Sequence, residues 1–205
     1  MVCAASIRAM TSSPSVLCRA HGLRAAADGH VLQRPLDLDI EPGLLAIVGD
    51  EGVGKTLLLH WLAGLASPAA GSVSAVDACC LPLSLPEDDA HTPHEVWQRL
   101  RYQFARWSDD MLEDLIDALD LRPHAHKALF KLSTGSRRKV GIAASLASGA
   151  TLVCLDQPWM GLDMASIRVL REFLHDMAEH PNRVWIVADY EADPTLPWRQ
   201  IVALS

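Results

Sequence analysis

Residues 44–66 read LLAIVGDEGVGKTLLLHWLAGLA, and their three parts decide the fold. The opening run, 44–48, is continuously apolar, the pattern of a strand buried on both faces. The closing run from Lys55 carries apolar residues at helical spacing. Between them, GDEGVGKT (49–56) fits G-x-x-x-x-G-K-[ST] in the strand-to-helix setting that this motif requires. Gly49, Gly52 and Gly54 permit a tight loop whose backbone N–H groups converge on an anion, with Asp50, Glu51 and Val53 between them. The loop opens a helix, whose N-terminal dipole also favours negative charge. Lys55 is placed to bridge β- and γ-phosphates, and the Thr56 hydroxyl to hold Mg²⁺.

Working outward, TLVCLD (151–156) is a second apolar run, and it ends in Asp156. An acidic residue closing a buried strand next to a phosphate loop is a second Mg²⁺ holder, often through water. LDLDI (36–40) alternates, as a strand with one solvated face does. Helical spacing runs from Thr92, a cap followed by Pro93 and by Glu95 three residues on. A second helix starts near Ser108, a third covers about 135–148, and another follows at 164–180 before the strand RVWIVAD (183–189). Strands alternating with helices predict an α/β domain with a mostly parallel sheet.

The 205 residues are half hydrophobic, enough for a single domain with a real core. A net charge of −7 leaves no basic surplus to displace condensed counterions, so nucleic acid is not an expected partner. The five cysteines, Cys3, Cys18, Cys79, Cys80 and Cys154, form no CxxC pair and suit a reducing cytosol. The N-terminus is too short and too weakly apolar for a secretory signal, and no run reaches transmembrane length. The expected location is cytoplasmic, with any membrane contact made through a partner.

LSTGSRRKVGIAASLASGATLVCLDQP (132–158) resembles, without a gap, the signature helix and following strand of ATP-binding cassette (ABC) ATPases. MGLD (160–163) resembles their D-loop, and PLDLDIEPGLLAIVGDEGVGKT (35–56) the approach to their phosphate loop. The resemblance implies a P-loop NTPase of the ABC type, with an antiparallel β edge on a parallel core. The core is expected at about 14–87 and 141–205, and a small helical subdomain at about 88–140. It also implies ATP and Mg²⁺, a head-to-tail dimer of two such subunits, and an integral membrane permease on the inner face of a membrane. In that arrangement Ser133, Thr134, Gly135 and Ser136 meet the nucleotide of the opposite subunit. Gly161, Leu162 and Asp163 communicate across the dimer.

Several positions depart from the family pattern. RAAADGH (24–30) offers no aromatic to stack on adenine, a loss worth about 1–3 kcal/mol. Leu57 replaces the second hydroxyl after the lysine, and Leu83 stands at the Q-loop glutamine. Asp189 aligns with the switch histidine. Gln157 stands where the family places the carboxylate that activates water, either naturally or through an engineered Glu→Gln change. An amide orients water but accepts no proton, so slow hydrolysis is expected, with a non-hydrolysing nucleotide sensor as the alternative. VWQRLRYQFARW (96–107) reads first as subdomain core and second as an aromatic-lined groove for a partner helix. RRK (137–139) reads first as a solvated helix face and second as a face for phosphate or anionic lipid, and His91, His94, His124 and His126 as surface or cap residues. Trp159 reads equally as core or as a residue that shields the nucleotide or packs against the opposing subunit.

Overall fold

The computed structural model describes residues 16–25, 35–74 and 76–205. Among the described residues, eight strands and five α-helices follow in chain order. They are β1 (Cys18–Arg24), β2 (Leu36–Ile40), β3 (Gly43–Val48), α1 (Lys55–Leu62), β4 (Ala70–Val73), β5 (Ala78–Cys79), α2 (Pro93–Gln103), α3 (Asp109–Ala118), α4 (Thr134–Ala147), β6 (Leu152–Asp156), α5 (Met164–Met177), β7 (Val184–Asp189) and β8 (Gln200–Ala203).

β5-β6-β7-β3-β8 form one parallel sheet. Its central strands are apolar throughout because both faces are covered, and alternate residues go to different cores. Leu44, Val153, Leu155, Trp185 and Val187 pack on the helical side, with α2, α3, α4 and α5. Leu45, Ile47, Leu152, Cys154 and Ile186 pack on the other side, with α1 and the antiparallel strands. Those strands form a sheet of their own, ordered β2-β1-β4, rather than an extension of the parallel one.

The expected boundary at residue 140 falls inside α4, which packs on α2 and α3 and also on β6. The helical segment therefore shares its core with the sheet. α2 starts as its sequence predicts: the Thr92 Oγ1 accepts from the Glu95 N–H, and the Glu95 carboxylate accepts from the Thr92 N–H. Of the aromatic run, Trp97 is buried, Phe104 and Trp107 pack against the core edge, and Tyr102 is exposed. The Trp97 indole N–H donates to the Val140 carbonyl at 3.2 Å, tying α2 to α4. Trp97→Ala is expected to destabilise the fold by about 3–5 kcal/mol, read from urea denaturation. Cys18, Cys79, Cys80 and Cys154 are free thiols.

Candidate functional site

The site lies at the carboxyl ends of β3, β6 and β7, the edge of a parallel sheet where ligands characteristically bind. In register, Val48 pairs with Asp189, and Asp156 with Ala188, so loops 49–54 and 157–163 and the turn at 189–190 converge.

Gly49 leaves β3 with φ +150°, and a Cβ there would lie 2.5 Å from the Leu204 carbonyl oxygen. No larger residue fits without moving the backbone at Leu204, just after β8. Gly54 caps α1 at φ +102° with no side-chain cap and no acidic residue in the first turn. The first N–H groups of α1 therefore have no side-chain acceptor competing with an anion. Lys55 is 6% exposed. Its Nζ donates to the Gly49 and Asp50 carbonyls at 2.6 and 2.7 Å and lies 4.9 Å from the Tyr190 ring centre. Asp50, Glu51 and Gly52 are exposed on the outside of the loop, while Val53 and Leu57 pack on the core. Thr56 Oγ1 donates to Asp156 Oδ2 at 2.5 Å, joining residues 100 apart in sequence.

Gln157 takes φ +45°, a left-handed backbone that costs a non-glycine residue on the order of 1–3 kcal/mol. Three bonds hold it there. Its N–H donates to the Ala188 carbonyl at 2.8 Å, and its carbonyl accepts from Arg138 Nη2 at 2.5 Å and from the Met160 N–H at 3.2 Å. Gln157 and Asp189 line one cavity of about 520 Å³ with Trp159, Met160, Arg171 and Tyr190. Trp159 is half-buried, with the Arg171 guanidinium 5.8 Å from its ring centre. Burial holds the Asp189 carboxyl above its ordinary range, opposed by the Tyr190 N–H bond and the Lys55 charge. A carboxylate with a raised folded value weakens the fold wherever it is ionised. Asp189→Asn is therefore expected to stabilise the protein at pH 7. The gain should fade as pH falls towards 3.8, the ordinary value, when compared by urea denaturation across that range.

Ser133 caps α4 by accepting from the Ser136 N–H at 3.1 Å, and with Thr134 it faces solvent. A Cβ on Gly135 would lie 2.5 Å from the Gly161 carbonyl oxygen, so the signature turn and the 160–163 loop are in backbone contact. Leu162 packs against the helical-side core. Asp163 caps α5 through the Ser166 N–H at 2.8 Å and pairs with Lys139 Nζ at 2.6 Å. The Lys139 ammonium, then the Ser166 donors, hold the Asp163 carboxyl well below the usual carboxylate range.

Residues 33–160, well over half of the chain, match the ABC transporter family. The chain belongs to the ABC transporter family. Cytochrome c biogenesis ATP-binding export protein CcmA of Rhodobacter capsulatus is 34% identical over 136 residues, covering 62% of this chain and 59% of that protein. The protein of the same description from Pseudomonas syringae is 32% identical over 183 residues, covering 81% and 85%. An ABC transporter ATP-binding protein from Pyrococcus furiosus superposes with a TM-score of 0.75 at 20% identity, covering 91% of this chain and 96% of that one.

Within this ABC fold, one sequence reading changes. RRK is not a solvated face. Arg138 is 7% exposed, Lys139 is drawn to Asp163, and Arg137 bonds the Leu85 carbonyl and pairs with Asp89. The sequence reading also passed over Tyr190, whose ring flanks Lys55; an exposed aromatic after a strand carries no local signal. Leu83, at the Q-loop position, is 4% exposed, and its carbonyl lies against Gly141 of α4. It belongs to the core. His91, His94, His124 and His126 lie at or near the surface. Residues 26–30 of the stretch without an aromatic lie outside the described residues.

Proposed function

We propose that this chain is the ATP–Mg²⁺-binding subunit of a transporter, pairing with a second ABC subunit around nucleotide and driving an integral membrane permease. The observation that carries the reading is the 2.5 Å meeting of Thr56 and Asp156 beside Lys55 and an uncapped helix start. Hydroxyl and carboxylate oxygens are hard donors, and Mg²⁺ takes one or two such protein ligands with phosphate and water completing its shell. The residues present fit that ion, which would neutralise charge developing on the phosphates. In this reading Lys55 leaves its loop carbonyls for the β- and γ-phosphates, and loop 49–54 supplies backbone donors. Gln157 orients the attacking water without taking its proton, so turnover is slow.

The exposed Ser133 and Thr134 lie at the start of α4, on a surface available to a second subunit's nucleotide. Head-to-tail pairing is the arrangement that uses them. Among the described residues no helix is long and apolar enough to cross a membrane. The permease is the proposed route to the inner face of the bilayer from the cytoplasm. Light scattering on the purified chain tests the pairing. Saturating ATP–Mg²⁺ should double the molar mass, and Ser133→Ala should reduce the dimer fraction. A monomer at every nucleotide concentration would overturn it. A second reading, a nucleotide sensor that cleaves nothing, draws on the burial of Leu83 where the family glutamine would reach the γ-phosphate.

A further inference from the structure

Arg138 lies near the start of α4, in a sequence run that looks solvated, yet it is buried. A guanidinium out of water is tolerated where hydrogen bonds and nearby charges compensate. Here Nη2 donates to the Gln157 carbonyl at 2.5 Å and reaches the Asp156 carbonyl at 3.4 Å. Its stem passes the 160–163 loop, where a Cβ on Gly161 would lie 3.8 Å from Arg138 Cδ. Nε has no hydrogen-bond partner among the described residues. Burial works against the cation, and the Asp156 and Asp189 carboxylates favour it. An aliphatic side chain would fill this volume without that conflict. What the arginine adds is a directed donor on the two carbonyls that flank the left-handed turn at Gln157.

We infer that Arg138 is a positioning residue: its guanidinium, bonded to the carbonyls of Asp156 and Gln157, fixes the turn from which the Gln157 side chain meets the attacking water. The inference rests on the ATP-hydrolysis reading above. Because Arg138 belongs to the helix that begins at the signature, it also makes the attitude of residue 157 depend on where α4 sits. A shift of α4 on contact with a second subunit pulls directly on the backbone of the water-orienting residue.

The test uses the full chain carrying Gln157→Glu, where turnover is fastest. Adding Arg138→Met should lower kcat at least tenfold while KM for ATP changes less than twofold. Arg138→Lys, which restores a cation and a donor, should recover part of the loss. A kcat within twofold of the parent, or a fall in kcat matched by an equal rise in KM, overturns the inference. Should Arg138→Met fail to fold, Arg138→Gln takes its place under the same criteria. If the Gln157→Glu parent hydrolyses nothing, the ATPase reading fails by itself, and the clamp is read from hydrogen exchange. The Gln157 amide, bonded to the Ala188 carbonyl at 2.8 Å, should then exchange at least tenfold faster with Met than with Arg at position 138. Equal rates there overturn the clamp.

Discussion

Gln157→Glu is expected to raise steady-state ATP hydrolysis by about 10²–10⁴-fold, the usual worth of a general base. The substitution keeps side-chain length, and the backbone of residue 157 is fixed by bonds from its own N–H and to its own carbonyl. The new carboxylate therefore enters the same cavity, beside Asp189. Carboxylates close together raise one another's pKa, which makes the added group a stronger proton acceptor. A phosphate-release assay on both forms gives the answer. Turnover restored by Glu identifies a cassette slowed at one atom. No turnover in either form supports the sensor reading and points to the other departures, Leu83 and Asp189, as sufficient to stop cleavage.

Lys55→Met carries the second large effect, a loss of ATP affinity of about 10²–10⁴-fold. Hydrogen bonds from a charged donor are worth about 1.5–3 kcal/mol each, and two are removed. Two titrations check this: a fluorescent ATP analogue, and thermal stabilisation by ATP–Mg²⁺. The wild-type chain should show a nucleotide-dependent rise in Tm and the variant almost none. An affinity within threefold of wild type would remove Lys55 from the site. The free protein should also lose some order in the loop, because the Gly49 and Asp50 carbonyls lose their donor.

The shape of the glycine loop between β3 and α1 was legible because it is carried by the backbone. Glycines at fixed spacing, between an apolar run and a helix, leave little else for the chain to do. The parallel sheet was legible for a related reason: strands covered on both faces have no polar positions to confuse with a solvated edge. Arg138 was not legible. Its burial is imposed by the loop after β6, and nothing in 137–139 marks the middle residue as the inward one. The antiparallel edge was expected from the resemblance; only its closure as a separate β2-β1-β4 sheet was hidden, because the alternation in 36–40 predicts one wet face without naming the strand beside it. Leu83 shows the opposite case, where a position aligned by resemblance proves to be buried, with its backbone against Gly141 of α4.

The backbone contact between Gly135 and Gly161, braced by the Lys139–Asp163 pair, removes slack between two segments proposed to face a neighbouring subunit. They are joined to one another rather than standing as two independent fingers. A displacement at the signature turn is therefore expected to be felt at the aspartate capping α5. Widening that seam with a methyl group at residue 135 should therefore loosen both contacts together.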